Sequence, residues 1–191
     1  QHTCTGIGYH SDIVPLETTM TIVARLFSLM KECGYSNYVP SCVTSFGIFT
    51  EIMAKWEEHP ELKEKARQYL WDACKREFEV PDNIVHPSDI IYKFRNDLKP
   101  KMKYQLINRF TGKPLRVVEH IGCHYAKIFP HHGIGKAEFP YVLAGMIESW
   151  GGMVVDYPER RHCCGFGFRQ YLVQENRGYS IANTQKKFES M

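Results

Sequence analysis

Two stretches in the second half of the chain share one pattern: RVVEHIGCH at residues 116–124 and MVVDYPERRHCCG at residues 153–165. Each begins with β-branched residues, which favour a strand, and continues into cysteine beside glycine. Between them, residues 138–150 carry a helical pattern that closes on two glycines. A strand, a helix and a second strand in this order are typical of a parallel α/β unit, whose ligands gather at the carboxyl ends of the strands. The pattern therefore predicts a functional site at the two cysteine-bearing loops.

The other segments continue this alternation of helices and strands. Leu16, Met20, Val23, Phe27 and Met30 fall at helical spacing, which predicts a helix with one buried face. The predicted helices span residues 15–33, 44–57, 61–78, 88–97 and 138–150, with a mostly helical tail over 169–191 and a break at Gly178; the predicted strands span 35–39, 116–121 and 153–157. The order of elements predicts an α/β protein.

The composition is that of an ordinary globular protein apart from its cysteines. Of the 191 residues, 43% are apolar and 24% charged, and the net charge of +3 is too small to indicate nucleic acid or an anionic membrane as a partner. No apolar run is long enough to span a membrane and no secretory leader opens the chain, so we expect a cytoplasmic protein, or one in a membrane-associated complex. Seven cysteines without an export signal indicate metal or redox chemistry rather than disulfides.

The two loops hold Cys123, Cys163 and Cys164, with Gly122 and Gly165 as direct neighbours. Three thiolates form a soft ligand set, which favours zinc or an iron–sulfur cluster. Glycine lets the backbone approach a bulky inorganic group closely. Zinc knuckles usually have two residues between their cysteines, whereas Cys163 and Cys164 are adjacent.

These residues resemble a known family. GCH at residues 122–124, VVDYP at 154–158 and CCGFG at 163–167 are similar to the cysteine-rich CCG domain of the heterodisulfide reductase B subunit and its relatives. The family motif is Cys, then Cys-Cys-Gly, then CxxC, and its last part would fall close to or beyond the end of this sequence. We therefore expect an incomplete chain that lacks the C-terminal CxxC.

The resemblance implies a cofactor and a set of site residues. Cys123, Cys163 and Cys164 would bind a [4Fe–4S] cluster of the non-cubane type and, together with His124, form the catalytic site. Gly122 and Gly165 would line the cofactor. His124 and His162 flank the ligands; either histidine would tune the cluster, move a proton, or be an ordinary loop residue.

The first half of the chain departs from the family motif. HTCTG at residues 2–6 matches Cys-Cys-Gly with Thr3 in place of one cysteine, and VPSC at residues 39–42 matches CxxC with Val39 in place of the first. Cys4 and Cys42 remain as candidate ligands of a second site. A cluster of a different type, an open iron, and no cluster are all possible there.

The resemblance also implies a domain organisation. We expect two related cysteine-rich α/β halves with short parallel sheets and cluster loops at the carboxyl ends of the strands. Residues 1–98 would form a degenerate N-terminal CCG half, residues 99–114 a linker, and residues 115–191 the C-terminal CCG half, incomplete at its end.

Residues outside the motif invite simpler interpretations. Cys33 and Cys74 lie on apolar helix faces, which predicts buried, inert thiols. The pair Arg160-Arg161 precedes the cysteine pair, where it would balance an anionic cluster, meet an anionic substrate, or lie in solvent.

The function implied by the resemblance is that of an oxidoreductase subunit. It would pass electrons through the cluster to a disulfide or thiol substrate, within a complex that also holds a ferredoxin-like iron–sulfur subunit and a flavin-containing subunit. One alternative is an electron-relay subunit of a respiratory or fumarate/succinate-type complex, without a substrate of its own. Another is a zinc-stabilised interaction module.

Overall fold

The computed structural model describes residues 14–126, 132–165, 174 and 177–191. The helices are α1 (Leu16–Glu32), α2 (Val43–Glu58), α3 (Pro60–Cys74), α4 (Pro87–Lys93), α5 (Arg95–Leu98), α6 (Cys123–Ala126), α7 (Val142–Ser149) and α8 (Arg177–Glu189), with a 3₁₀ turn at Lys99–Lys101. The strands are β1 (Asn37–Tyr38), β2 (Asn83–Ile84), β3 (Arg116–Val117), β4 (Gly135–Lys136), β5 (Phe139–Pro140) and β6 (Met153–Val154). None of the helices in these ranges combines the length and apolar character that a membrane span requires.

The strands form small two-stranded sheets. β1 pairs with β2 in parallel, and β3 pairs with β6 in parallel, with Val117 opposite Val154. β4 and β5 form an antiparallel hairpin. Each parallel pair is joined by a crossover that contains helices, because parallel strands cannot be connected by a tight turn. The predicted α/β class with short parallel sheets is confirmed.

The strands of the second parallel pair are shorter than the sequence predicts. Regular pairing ends at Val117 and Val154, although the predicted strands run to 121 and 157. One further ladder bond follows, from the Val155 amide to the Val117 carbonyl at 2.9 Å. Beyond it, the Tyr157 hydroxyl donates to the Glu119 carbonyl at 3.0 Å, so a side chain takes the place of a ladder partner. The two strands therefore end several residues earlier than predicted, and the loops that carry the cysteines are correspondingly longer.

An apolar core lies between α1, α2 and α3. The predicted stripe on α1 is confirmed, because Met20, Val23 and Phe27 are all fully buried. Phe27 packs against Phe49 of α2 with ring centroids 5.6 Å apart, and Trp56 packs against a phenylalanine that follows α3. Burying each such side chain contributes about 1.5–3 kcal/mol, so this cluster is the main apolar source of stability in the first half.

A second apolar cluster joins the two halves of the chain. Phe46 of α2 stacks on Tyr125 of α6, with ring centroids 5.9 Å apart and planes 28° apart. Ala126 of α6, together with Val142 and Met146 of α7, completes the buried part of this cluster. The start of α2 is thereby packed against the loop that carries Cys123.

Some helix boundaries differ from the sequence prediction. α3 ends at Cys74 rather than at residue 78, because Lys75 adopts a left-handed conformation with φ of 53°. The predicted helix 138–150 begins only at Val142, because Phe139–Pro140 forms a hairpin strand. Gly178 lies within α8 and does not break it.

The prediction that Cys33 and Cys74 are buried is wrong, since both are exposed. Cys33 is the residue that follows α1, and Cys74 is the last residue of α3. The residues after each of them are exposed as well, so the apolar stripe ends where the helix ends.

Candidate functional site

The site begins at the carboxyl edge of the β3–β6 pair. After β3 the chain runs to Cys123, the first residue of α6, and after β6 it runs to Cys163 and Cys164. Because Val117 and Val154 lie side by side in a parallel pair, both loops leave the sheet from the same edge.

A buried lysine from the C-terminal helix lies near all three cysteines. Lys187 of α8 is only 5% exposed. Burial is the largest influence on its ammonium group and lowers the pKa on balance, while negative charge on Cys164, Cys123, Glu159 and Cys163 acts in the opposite direction and favours the charged form. All three predicted ligands therefore interact electrostatically with the same side chain, that of Lys187.

The helix α8 is attached to the loop that holds the cysteine pair, residues 159–165, hereafter the CCG loop. Ser180 donates a hydrogen bond from its hydroxyl to the Gly165 carbonyl, and Thr184 donates one to the Cys164 carbonyl. Lys187 donates from Nζ to the carbonyls of residues 159 and 160, the latter at 3.2 Å. Ser180, Thr184 and Lys187 are spaced by four and three residues, so they form one face of the helix.

Gly165 is required by this packing. Its φ is +83°, and a Cβ atom there would lie 2.9 Å from the Ser180 Cα. Its amide donates to the Cys163 sulfur at 3.3 Å. The carbonyls of the loop thus face α8, while this amide points to a sulfur atom.

The predicted N-terminal ligand Cys42 lies at the start of α2, as its N-cap. Cys42 is exposed, and its remaining desolvation is the largest single influence on the thiol and raises the pKa, but the amide and hydroxyl groups of Thr44 and Ser45 together outweigh it. The net pKa is therefore lowered. A lowered pKa favours the thiolate, which is the form that binds metals.

The structure brings the Cys42 segment to the Cys123 loop. Thr44 Oγ1 lies 2.9 Å from Nδ1 of His124, and a Cβ atom on Gly122 would lie 3.3 Å from a methyl group of Val43. His124 is therefore held by α2. The sequence predicted that Cys42 belongs to a separate half and did not single out Thr44, because residues 44 and 124 are linked only by the packing of the two halves.

His162, the other flanking histidine, contacts a carboxylate. Its Nδ1 pairs with Glu159 Oε2, and its side chain is 64% exposed. Glu159 also pairs with Lys186, with Nζ and Oε1 3.2 Å apart. Burial is the largest single influence on this carboxyl and raises its pKa. The hydrogen bonds and charges of Lys186 and His162 together lower the pKa by more than burial raises it, so the net pKa is lowered.

The two arginines before the cysteine pair are bound internally. Arg160 Nη2 lies 2.6 Å from Oε1 of the buried Glu119, and Arg160 Nη1 lies 3.2 Å from Asp156. Arg161 Nη1 lies 3.7 Å from the same Glu119 oxygen. The interpretation as two solvated arginines is therefore wrong, and much of their charge is balanced within the protein.

An open groove adjoins the CCG loop. Its volume is about 560 Å³, and it is lined by Phe139, Asp156, Tyr157, Pro158, Arg160 and Arg161. Pockets that bind small molecules have volumes of about 300–1,000 Å³, so the groove has the size of a ligand site. Arg161 lies over the Phe139 ring, 5.7 Å from its centroid.

The donor set has the chemistry that an iron–sulfur cluster requires. Thiols from two loops are combined with Gly165, where the fold leaves no room for a side chain, and with Gly122, where a Cβ atom would make a tight contact with Val43. In the part of the chain that the structure describes, no three Cys, His, Asp or Glu side chains surround a single point as the ligands of one metal ion do. The cysteines of a cluster surround several iron and sulfide atoms rather than one ion, so their sulfur atoms stand farther apart than the ligands of a single metal ion. Cys4, the other N-terminal candidate, lies outside the described residues.

Comparison with known proteins confirms the predicted resemblance, although no family model matches the chain. The chain is 28% identical to the B subunit of a ferredoxin:CoB-CoM heterodisulfide reductase of Methanosarcina acetivorans, over 100% of this chain and 61% of that protein. The B subunit of a ferredoxin/F(420)H(2)-dependent CoB-CoM heterodisulfide reductase of the same organism is 25% identical, over 78% of this chain and 48% of its own length. The B subunit of a ferredoxin:CoB-CoM heterodisulfide reductase of Methanosarcina mazei is 27% identical, over 66% of this chain and 40% of its own length. The chain thus spans between 40% and 61% of the length of these curated relatives.

Proposed function

We propose that this chain is the cluster-binding part of an oxidoreductase subunit similar to the B subunit of heterodisulfide reductase. In the proposal, Cys123, Cys163 and Cys164 bind a [4Fe–4S] cluster of the non-cubane type. The observation that carries it is the arrangement of the two cysteine loops, which leave the same edge of the β3–β6 pair and share Lys187 as a neighbour. The names of the curated relatives support the same conclusion.

The proposed reaction is the reductive cleavage of a disulfide. One disulfide, two electrons and two protons give two thiols; the sulfur–sulfur bond breaks and no other bond is lost. The electrons come from a ferredoxin-like iron–sulfur subunit and, before it, a flavin-containing subunit, and the protons come from water. When bound, the cluster supplies single electrons and iron with an affinity for sulfur.

The residues of the chain have separate tasks in this proposal. The three cysteines hold the cluster, and Gly122 and Gly165 let α2 and α8 approach closely enough to fix the two loops. His124, held by Thr44, keeps a fixed ring orientation beside Cys123. The groove next to the CCG loop admits the substrate.

A second site belongs to the proposal with Cys4 and Cys42 as its candidate ligands. The lowered pKa of Cys42 and the contact between its segment and the Cys123 loop support a position beside the first cluster. With Thr3 and Val39 in place of two motif cysteines, this second site has fewer thiols than the family motif provides.

The relay alternative is favoured by that incomplete motif, because a subunit that only passes electrons needs no second complete site. The open groove favours an enzyme instead, since a buried relay needs no cavity beside its cluster. A reductase assay separates the two: with a reduced low-potential donor, the isolated complex reduces a disulfide if it is an enzyme and only other electron acceptors if it is a relay.

The experiment that tests cluster binding is metal analysis of the full-length protein purified without oxygen. We expect about four irons with matching acid-labile sulfide for one [4Fe–4S] cluster, or about eight if both sites are filled. Cys164→Ser is expected to lose iron from the C-terminal site. Cys33→Ser is the matched control, because Cys33 is exposed at the end of α1 and should leave the iron content unchanged.

Two results would overturn the proposal. Zinc without acid-labile sulfide would indicate the interaction module, and an unchanged iron content in Cys164→Ser would remove that cysteine from the ligand set.

A further inference from the structure

Lys187 is buried although lysine is among the residues least often found inside proteins. A buried ammonium group is costly unless polar groups compensate it. Here the carbonyls of residues 159 and 160 accept its hydrogen bonds, and the Tyr157 ring lies 5.4 Å from its Nζ. Lys186, its neighbour in sequence, has 66% of its side chain exposed. The fold thus takes one of two adjacent lysines into the interior and directs it to the CCG loop.

Thr184, on the same face of α8, donates to the Cys164 carbonyl, so the Lys187 ammonium group lies against the loop that carries the cysteine pair. Cys164, Cys123 and Cys163 all act on its ammonium group, together with the carboxylate of Glu159. Charges in a protein interior interact more strongly than in water, because the effective dielectric constant is lower. A positive charge held there acts on the whole thiolate group of the site.

We propose that Lys187 sets the reduction potential of the C-terminal cluster by holding one positive charge beside its three cysteine ligands. This inference rests on the proposed function, because it requires a cluster at that site. Reduction adds an electron to a centre that thiolates already make anionic. A fixed cation beside it stabilises the reduced state more than the oxidised state, so it raises the potential.

A purely structural role for Lys187 would have different consequences. The carbonyls that it binds also attach the CCG loop to α8, so its loss could loosen the loop without any electrostatic effect. Loosening would lower the iron content or the thermal stability, but the potential of the protein that keeps its cluster would stay the same.

The test is an EPR-monitored redox titration of the full-length protein, purified without oxygen, with iron and sulfide measured in parallel. Lys187→Gln removes the charge and keeps donors for the carbonyls, whereas Lys187→Arg keeps the charge. Lys186→Gln is the matched control for the loss of one lysine at the neighbouring, exposed position. Lys187→Met removes both charge and donors.

We expect Lys187→Gln and Lys187→Met to shift the midpoint to more negative potential, by a tenfold or larger change in the reduced-to-oxidised ratio, which equals about 59 mV for a one-electron couple. Lys187→Arg and Lys186→Gln should titrate like the unmodified protein. An unchanged midpoint in Lys187→Gln with full iron would overturn the inference. If Lys187→Met loses its cluster, the comparison of Lys187→Gln with Lys187→Arg still decides. Absence of iron and sulfide from the unmodified protein would instead overturn the proposed function.

Discussion

The two halves of the chain place cysteine in the same way but are held together differently. In each half a parallel pair of strands leads to a cysteine at the start of a helix, Cys42 at α2 and Cys123 at α6. The first half packs its helices around a large apolar core. In the second half, polar side chains bind backbone carbonyls next to the cysteines.

This difference separates stability from function. An apolar core fixes helices mainly by close packing, and the polar side chains buried in the first half, such as Ser28 and Thr50, bond to carbonyls of their own helices. Hydrogen bonds to carbonyls fix the path of a loop while leaving its other side open for a ligand. We therefore expect core substitutions in the first half to unfold the protein, and substitutions on the face of α8 to change the site with a smaller loss of stability.

The largest expected effect is that of Phe49→Ala in the first half. Phe49 is fully buried against Phe27 and Tyr38, and such a truncation costs about 3–5 kcal/mol of unfolding free energy. Urea unfolding of the full-length protein measures it, with Phe110→Ala, at a position 96% exposed, as the control. The protein that remains folded should keep its iron. An equal loss of unfolding free energy in both variants would contradict the role of Phe49 in the core, and a loss of iron from folded Phe49→Ala would contradict the division between the halves.

Gly165→Ala should have the next largest effect, and it should act on the site. A Cβ atom there meets Ser180 on α8, and the left-handed backbone adds strain, together about 1–3 kcal/mol. We expect faster hydrogen exchange in α8 and a lower iron content. Gly112→Ala is the matched control, since Gly112 also has a positive φ, of 67°, but a Cβ atom added to it would have no neighbouring atom within 4 Å. Normal exchange in α8 of Gly165→Ala would show that the close contact is dispensable.

Thr184→Val tests a single hydrogen bond between α8 and the CCG loop. The Thr184 hydroxyl donates to the Cys164 carbonyl and lies 3.1 Å from the Ser180 carbonyl. We expect the free energy of unfolding to fall by about 0.5–1.5 kcal/mol, as measured by urea unfolding. Thr21→Val is the control, because Thr21 donates within its own helix, to the Glu17 carbonyl at 2.7 Å, and not to another segment. If both variants lose the same amount, the bond to Cys164 adds no stability.

The sequence was sufficient for most of the helices and for β1, β3 and β6, but not for β2, for the β4–β5 hairpin or for the contacts between elements. Helical spacing identified the buried face of α1, and β-branched residues located β3 and β6, because these signals are local. The same signals overestimated the length of both strands. Their ends are set by the contact of Tyr157 with the Glu119 carbonyl, between residues far apart in the chain.

The candidate site was also only partly visible in the sequence. The spacing of Cys123, Cys163 and Cys164 pointed to the two loops, but Lys187 and Thr184 look like the solvated face of a charged helix. A helical face that carries Ser, Thr and Lys at intervals of four and three residues is the signal that was available. It becomes informative only when the position of α8 against the CCG loop is known.

The smallest expected effect concerns acid and the Glu159 carboxylate at the edge of the CCG loop. Its pKa is held below the ordinary value of 4.5 by Lys186 and His162, while the Glu159 carbonyl binds Lys187. A carboxyl group with a lowered pKa contributes stability at neutral pH, and that contribution is lost as the pH falls through its value in the folded state. Glu159→Gln should therefore be slightly less stable than the unmodified protein near neutral pH, and the difference should vanish in acid. Urea unfolding across this pH range measures it, with Glu57→Gln on the exposed side of α2 as the control. A stability difference that persists below the carboxyl pKa would mean that Glu159 acts through packing rather than through its charge. The polar attachment of α8 to the CCG loop would then depend on the α8 hydroxyl groups and Lys187 alone.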